Sequence, residues 1–286
     1  MSFVINIIIV LIAAPLLGGL LSGVDRKLTA RMQSRKGPPI LQPFYDVGKL
    51  FGKKSTSVNG LAAFYVSLTL VFTAFAVVLL LTGMDMLLSV FAFTLACIFF
   101  VIMGYSSHSP YSFVGAEREL IQIMCYEPMV LITVFGFYKA SGSFSAAEAL
   151  SLDVPVIARL PLVFLGLLFV LTIKLRKSPF DLSMSHHGHQ ELVKGITTEL
   201  TGANMAMVEI THWFETVFAL SLVYIFFVTA APWSHAVAAV VTLFVYLLEI
   251  VIDNVFARIK WQPALKSAWL VTGAASVANF LVLGLI

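Results

Sequence analysis

Long hydrophobic stretches recur along the chain, and polar residues collect between them. Each stretch is close to 20 residues, about the length that an α-helix needs to cross a bilayer. They predict helices near residues 3–24, 61–83, 87–105, 120–139, 157–174, 208–231, 235–257 and 267–286. A membrane barrel would instead show segments of roughly 10 residues that alternate between apolar and polar positions. We therefore predict an all-α, polytopic integral membrane protein, with about eight transmembrane helices in a single domain over residues 1–286.

A different pattern follows the first hydrophobic stretch. Phe44, Val47, Leu50 and Phe51 recur at steps of three, three and one residues after Pro43, which places them along one side of a short helix. Such a helix lies in the membrane interface with its apolar side down. The many cations around it favour either of two roles: a topology signal that also binds anionic lipid, or a docking collar for a partner protein.

Charge distribution predicts the orientation of the helices. Only 12% of residues are charged, and sixteen of the 18 Lys and Arg lie in four loops at residues 25–60, 106–119, 174–207 and 258–266. Because Lys and Arg are enriched in cytoplasmic loops, we expect these four loops to face the cytoplasm of a cell-membrane protein. Both termini then face outward, and the four loops form a docking platform.

Acidic residues inside the hydrophobic stretches are the main candidates for chemistry. Charged groups at membrane depth are expensive and usually functional, and a series of them is typical of a proton path. We expect few intramembrane cations to pair with them. The alternatives are neutral, hydrogen-bonded packing groups, or a sodium path. The predicted path, including acids at its cytoplasmic entrance, comprises Glu117, Glu119, Glu127, Glu199, Glu209, His212, Glu215, Glu249 and Asp253.

The loop "RKSPFDLSMSHHGHQELVKG" at residues 176–195 is unusually rich in polar residues. Its three histidines have poor spacing for a metal site, so we predict a titratable protein–protein contact and no bound metal. Two cysteines in the chain cannot ligate an iron–sulfur cluster, which normally takes four. The predicted docking residues of the platform are Arg26, Arg31, Arg35, Lys36, Asp46, Arg118, Arg176, Lys177, Asp181, His186, His187, His189 and Glu191.

Several blocks of sequence resemble one known family along essentially the whole chain. They are "RMQSRKGPPILQPFYDVGKLFGKK", "GAERELIQIMCYEP", "KSPFDL", "QELVKGITTELTG" and "FARIKWQPALKSAW". The family is the eight-helix membrane subunit that, in respiratory complex I, closes the quinone chamber and starts the proton path. Two departures stand out: the eight residues 183–190 replace a short acidic stretch, and His212 stands where the family usually has glutamate. This version is similar to the corresponding subunit of energy-converting, ferredoxin-linked membrane-bound [NiFe] hydrogenases.

The resemblance implies a non-catalytic subunit that anchors a hydrogenase and couples its redox chemistry to the movement of H⁺ or Na⁺. The NiFe centre and iron–sulfur clusters would lie in partner subunits, with no cofactor in this chain. The implied partners are the large and small hydrogenase subunits, iron–sulfur subunits, an antiporter-like membrane subunit, ferredoxin as electron donor, and membrane lipid, with no nucleic acid. Two alternatives remain: a quinone-chamber subunit of a complex I-like dehydrogenase, and an autonomous secondary transporter, for which the expected inverted repeats are not evident.

Overall fold

The computed structural model describes residues 2–54, 60–180 and 192–285, and these segments are almost entirely helical. The helices are α1 Ser2–Met32, α2 Gln42–Phe51, α3 Gly60–Leu81, α4 Met86–Ser106, α5 Pro110–Ser141, α6 Ala146–Leu150, α7 Val156–Arg159, α8 Pro161–Lys174, α9 Gly202–Ile225, α10 Ser234–Val255 and α11 Trp261–Leu285. A short 3₁₀ turn at Gly195–Thr197 precedes α9. The predicted all-α fold is confirmed.

Membrane-spanning character follows from the length and hydropathy of the helices. Within the described residues, six helices are long and apolar enough to cross a membrane, namely α1, α3, α4, α5, α9 and α10. Two further helices, the 14-residue α8 and the 25-residue α11, coincide with the predicted fifth and eighth spans. The chain is thus a polytopic membrane protein, and a count of eight spans stays a prediction.

Several helices extend beyond the hydrophobic stretches that predicted them. Helix α1 continues through its cations to Met32 and stops before the "GPP" sequence at 37–39, where proline cannot continue a helix. Helix α5 begins ten residues earlier than predicted, at Pro110, and ends at Ser141, where the following Gly142 has a φ of +81° that suits glycine. Pro128 lies inside α5. Glu117 and Glu119, which were predicted to precede this helix, are therefore part of it.

Small residues allow α1 to lie close to its neighbours. A Cβ at Gly18 would collide with the backbone of Trp213 on α9, and one at Gly23 would collide with the carbonyl of Ile40. The α2 ring of Phe44 packs against Trp213, with ring centroids 5.1 Å apart. Helix α2 thus occupies the predicted amphipathic segment and is wedged between α1 and α9, with Val47 buried.

The four basic loops meet at one end of the bundle. The Tyr111 hydroxyl, at the start of α5, donates to the Val193 carbonyl at 2.9 Å. The Ile259 amide, after α10, donates to the Pro179 carbonyl at 3.0 Å. The Asn254 side chain, at the end of α10, donates to the Thr29 hydroxyl on α1 at 3.2 Å. Segments that follow α1, α4, α8 and α10 therefore form one continuous polar end.

Candidate functional site

A buried group of charges lies just inside this polar end, centred on Arg176. Arg176 donates to Glu119 of α5 at 2.7 Å and lies 3.6 Å from Glu215 of α9. The same guanidinium is 2.7 Å from the His212 ring, and His212 is in turn 3.1 Å from Glu215. We call Glu119, Lys174, Arg176, His212 and Glu215 the arginine cluster. Through the side chain of Arg176 it joins α5 and α9 to the turn after α8.

The backbone that presents Arg176 is a tight turn after α8. Arg176 has a φ of +52°, and the following amide of Lys177 donates back to the Thr172 carbonyl at 3.0 Å. A non-glycine residue in this left-handed region costs energy, roughly 1–2 kcal/mol. Such strain persists where other contacts fix the residue, and it is common at functional sites. The ion pairs of Arg176 supply those contacts.

Lys174, at the last turn of α8, provides a second cation for the arginine cluster. Its ammonium is 3.3 Å from Glu215, and the two side chains are only 7% and 9% exposed. The same ammonium lies 4.1 Å from the centre of the Phe93 ring and 4.8 Å from that of Tyr126. Aromatic faces attract cations, so these rings help to hold the charge away from water. Two cations therefore balance the two carboxylates of the cluster.

A second group of charges, partly buried, lies between α1, α10 and the turn after α8. The Lys177 ammonium pairs with Asp25 of α1 and lies 3.3 Å from Asp253 of α10. Asp253 also accepts a hydrogen bond from the Ser178 amide at 2.8 Å. We call Asp25, Lys177, Ser178 and Asp253 the lysine cluster. It contains two carboxylates for one ammonium group, unlike the balanced arginine cluster.

A polar cavity of about 290 Å³ connects the two clusters. Its walls include Arg176, Glu209, His212 and Glu215 on one side of the space and members of the lysine cluster on the other. At the liquid's share of ~30 Å³ per molecule, this volume holds about ten waters. Many charged groups in the wall provide the hydrogen-bond partners that ordered water needs. The two clusters thus share one hydratable space.

Three groups outside the membrane-spanning segments have shifted pKa values. Burial alone would lower the pKa of Arg176, but the carboxylates of Glu119 and Glu215 outweigh it and raise the pKa. The pKa of Lys177 is likewise raised, because Asp25 and Asp253 outweigh the effect of burial. On α2, burial would raise the pKa of Asp46, but the hydrogen bond from Gln42 and the charge of Arg26 lower it. Arg176 and Lys177 are therefore held in the charged form.

The remaining acids of the predicted path are spread along the bundle. Glu127, halfway along α5, accepts a hydrogen bond from Thr94 of α4 at 2.9 Å. Glu117 accepts one from the Tyr105 hydroxyl at 2.7 Å, at an exposed position. Glu199 is exposed near the polar end, and Glu209 is half-buried at the cavity wall. Glu249 is fully buried on α10, one turn from Asp253.

The predicted docking residues fall into three groups. Arg31, in the last turn of α1, and Arg35 and Lys36, just after it, are exposed, and Arg26 pairs with Asp46 at 2.7 Å with both side chains 40% exposed. Arg118 lies 5.7 Å from the centre of the Trp261 ring. Arg176 and Lys177 differ from the expected surface position, because their side chains are 14% and 10% exposed and bind internal carboxylates. The remainder lie outside the described residues: Asp181, His186, His187, His189 and Glu191.

Sequence reasoning missed two members of the buried ion pairs, Lys174 and Asp25. Lys174 lies at the boundary between a predicted span and its loop, and Asp25 was treated as the start of a polar segment. The sequence did contain a signal for Lys174: no proline interrupts the apolar run at 162–173, so the helix can continue to Lys174. The expectation of few pairing cations was therefore wrong where the end of α8 meets α9. There, Lys174 and Arg176 pair with Glu215.

Neither cysteine is part of a metal-binding group. Across residues 2–54, 60–180 and 192–285, no three His, Cys, Asp or Glu side chains are arranged to hold a metal ion. Cys97 and Cys125 are both buried, and the Tyr126 hydroxyl donates to the Cys97 sulfur at 3.1 Å. In this part of the chain the polar groups are suited to proton and charge exchange, since they consist of carboxylates, a histidine and their counter-ions.

Comparison with known proteins gives consistent results along the chain. A family model described as NADH dehydrogenase matches residues 5–284. Hydrogenase-4 component C of Escherichia coli K12 is 27% identical over 91% of this chain and 89% of its own length. NADH-ubiquinone oxidoreductase chain 1 of Emballonura alecto is 30% identical over 72% of this chain and 70% of its own.

One solved structure has the same fold. It is that of the membrane-bound sulfane sulfur reductase, an archaeal respiratory membrane complex, of which one chain superposes with a TM-score of 0.84. The superposition covers 98% of this chain and 100% of that chain, at 24% sequence identity. Both the sequence relatives and the fold therefore come from membrane-bound respiratory or hydrogenase complexes.

Proposed function

The chain belongs to the NADH dehydrogenase family, as a membrane subunit of a complex I-like oxidoreductase complex. From that premise we propose that it anchors an energy-converting [NiFe] hydrogenase and couples its redox chemistry to ion translocation. Ferredoxin would supply electrons, and the NiFe centre and iron–sulfur clusters would lie in soluble partner subunits. The large and small hydrogenase subunits would sit on the polar end, and an antiporter-like subunit would adjoin it in the membrane.

The arginine cluster is the observation that carries this proposal. Arg176 connects Glu119, at the polar end, to His212 and Glu215 on α9, so a change of charge at one member alters the field at the others. A unit charge arriving about 10 Å away would interact with Glu119 by about 1.7 kcal/mol at an effective dielectric constant of about 20. That energy corresponds to more than a tenfold change in proton affinity. An electron in a docked partner would thereby load a proton into the cluster.

Proton movement within the chain requires water between the titratable groups, and the shared cavity supplies the space. Glu209, His212 and Glu215 line it together with Asp25 and Asp253. From the arginine cluster, α5 continues towards Glu127, the acid deepest in that helix. We propose that the path runs from the polar end through the cavity to these transmembrane acids.

The cavity also bears on the alternative of a quinone chamber. Pockets for small organic ligands are mostly apolar and have volumes of roughly 300–1,000 Å³. The present cavity is at the lower limit of that range, and six charged residues of the two clusters line its walls: Asp25, Lys174, Arg176, Lys177, Glu215 and Asp253. Water suits such walls better than an aromatic headgroup with an apolar tail. Electron delivery to a quinone by the intact complex would favour the alternative.

Exposed cations at and just after the end of α1 support the docking part of the proposal. Arg31, Arg35 and Lys36 point into solvent at the same end as the arginine cluster. They are free to meet an acidic surface of a soluble subunit, whereas Arg176 and Lys177 are already engaged inside the chain. The proposed cytoplasmic location of this end follows from its excess of Lys and Arg.

Replacing Glu127 by glutamine tests the proton path. Glutamine can still accept the hydrogen bond from Thr94, but it cannot bind and release a proton. We expect the variant complex to assemble and to evolve H₂ with an artificial electron donor, while ion transport in liposomes is lost. Glu148→Gln, at an exposed position on α6, is the matched control and should transport normally. Unchanged transport by the Glu127 variant would contradict the proposed path.

A further inference from the structure

Glu249 is a buried carboxyl group without any hydrogen-bond partner. Its exposure is 0%, and neither of its two side-chain oxygens has a donor or acceptor within reach. A buried ionised carboxylate without a donor is very costly, and orphaned polar groups in native structures call for an explanation. In the arrangement that the structure shows, Glu249 is stable only as the neutral acid. It is therefore a stored proton at membrane depth.

The lysine cluster begins one helical turn above Glu249. Asp253 is four residues further along α10, so its side chain projects from the same side of the helix. The Lys177 ammonium lies 3.3 Å from Asp253 and also pairs with Asp25 on α1. Two carboxylates, those of Asp25 and Asp253, therefore share the Lys177 ammonium, and the neutral acid Glu249 lies one helical turn from this group. The Tyr246 hydroxyl donates to the Leu21 carbonyl at 3.2 Å and does not serve Glu249.

We propose that Lys177 is a mobile counter-ion that moves between Asp253 and Glu249, and so allows these two carboxyl groups to exchange one proton. In the step, the O–H bond of Glu249 breaks and an O–H bond forms on Asp253. The ammonium of Lys177 keeps its three protons and follows the negative charge from Asp253 to Glu249. This inference rests on the proposed role of the chain in moving protons.

Charge balance makes this exchange less costly than moving a proton alone. Before and after the step, the lysine cluster and Glu249 together contain one ammonium, two carboxylates and one neutral acid. Asp25 pairs with Lys177 at its upper position and remains charged throughout. Asp253 borders the shared cavity, whereas Glu249 does not line it. A proton that reaches Asp253 can therefore leave into the water of the cavity.

The chemistry of lysine suits this motion. One turn of an α-helix rises about 5.4 Å, a distance that the flexible four-carbon stem of lysine can cover by rotamer changes. Arginine, with its planar fork, would instead hold Asp25 and Asp253 together in a fixed geometry. The chain has arginine at the neighbouring position 176, where a fixed link between helices is present, and lysine at 177.

Infrared difference spectroscopy of the intact complex in membranes tests the stored proton. The C=O stretch of a protonated carboxylic acid is separate from that of a carboxylate, and turnover can be started with a reduced artificial donor. We expect a protonated-acid band that shifts on turnover in the wild type, as the proton passes from Glu249 to Asp253, and that is absent from Glu249→Gln. The exposed control Glu148→Gln should keep the band. A band that persists in the Glu249 variant would overturn the proposal.

Lys177→Arg tests the moving counter-ion, and it preserves the positive charge that assembly requires. We expect the resting band of Glu249 to remain in this variant, while its change on turnover is lost. If the full change persists with arginine at 177, the role of the lysine is wrong. Transport separates this inference from the proposed function. If Glu127→Gln blocks transport and Glu249→Gln does not, the proton exchange between Glu249 and Asp253 is refuted and the proposed proton path is retained. Normal transport by both variants would refute the exchange and the path.

Discussion

Replacing Arg176 by methionine should strongly destabilise the chain. The substitution leaves Glu119 and Glu215 buried, at 3% and 9% exposure, without the guanidinium that serves them both. Breaking a buried ion pair by removing one partner costs roughly 3–5 kcal/mol, because a buried charge is left uncompensated. Lys174 still serves Glu215, so we place the loss nearer 3 kcal/mol, or about two orders of magnitude in the unfolding equilibrium.

Arg26→Met is the matched control for this measurement. Arg26 and Asp46 are joined by an ion pair of the same 2.7 Å length, but both side chains are 40% exposed. Exposed pairs contribute at most about 1 kcal/mol, because water screens them and competes for the charges. The two variants therefore differ in burial and not in the length of the pair that is removed.

The assay is unfolding of the purified protein in mixed micelles by titration with a denaturing detergent, followed by tryptophan fluorescence. The double variant Arg176→Met with Glu119→Gln should lose less stability than the sum of the single losses, since the carboxylate that pairs with Arg176 is neutralised together with it. Equal losses for Arg176→Met and Arg26→Met would refute the reasoning, because burial of the arginine cluster would then have no energetic consequence.

Three further predictions concern the polar end and its attachment to α1. Reversing the charge at Arg31 and Arg35 should release the soluble subunits from membranes, and retention through a high-salt wash would contradict a docking role. The carboxylate of Asp46, with a pKa below its usual 3.8, should stabilise the chain above that pH and lose this effect as pH falls further. The stability difference from Asp46→Asn should vanish in acid. Gly23→Ala should destabilise by displacing the Ile40 carbonyl, whereas Gly48→Ala, with open space around it, should stabilise α2 by about 0.5–1 kcal/mol in the same unfolding titration.

Hydropathy predicted the helices better than their ends. It located the apolar core of α5 but placed the start at residue 120, whereas the helix begins at Pro110. Loss of hydrophobicity marks where a helix leaves the lipid, and charged residues such as Glu117 and Arg118 are good helix formers that continue it. The amphipathic α2 was placed correctly, since its apolar spacing and Pro43 at its start are both local signals.

The candidate site was predictable as a set of residue types but not as a set of pairs. Intramembrane acids at Glu215 and Asp253 are visible in the sequence because charge is rare at such positions. Their counter-ions are not, since Lys174 and Lys177 lie in a segment that reads equally well as a surface loop. Pairing depends on how α8 ends against α9 and α10, and that arrangement comes from tertiary packing. The strained φ of Arg176 likewise has no sequence signal.

Proline at position 128 of α5 has a consequence for the neighbouring acid. Having no N–H, Pro128 cannot supply the hydrogen bond that the Met124 carbonyl would receive in an uninterrupted helix. A backbone acceptor is thereby left open one turn from Glu127, at a depth where lipid provides no substitute. Hydroxyl groups or single water molecules are suitable donors for such a carbonyl, so this part of α5 favours a polar partner beside the half-buried carboxyl group of Glu127. Pro128 thus interrupts the backbone hydrogen bonding of α5 at one position.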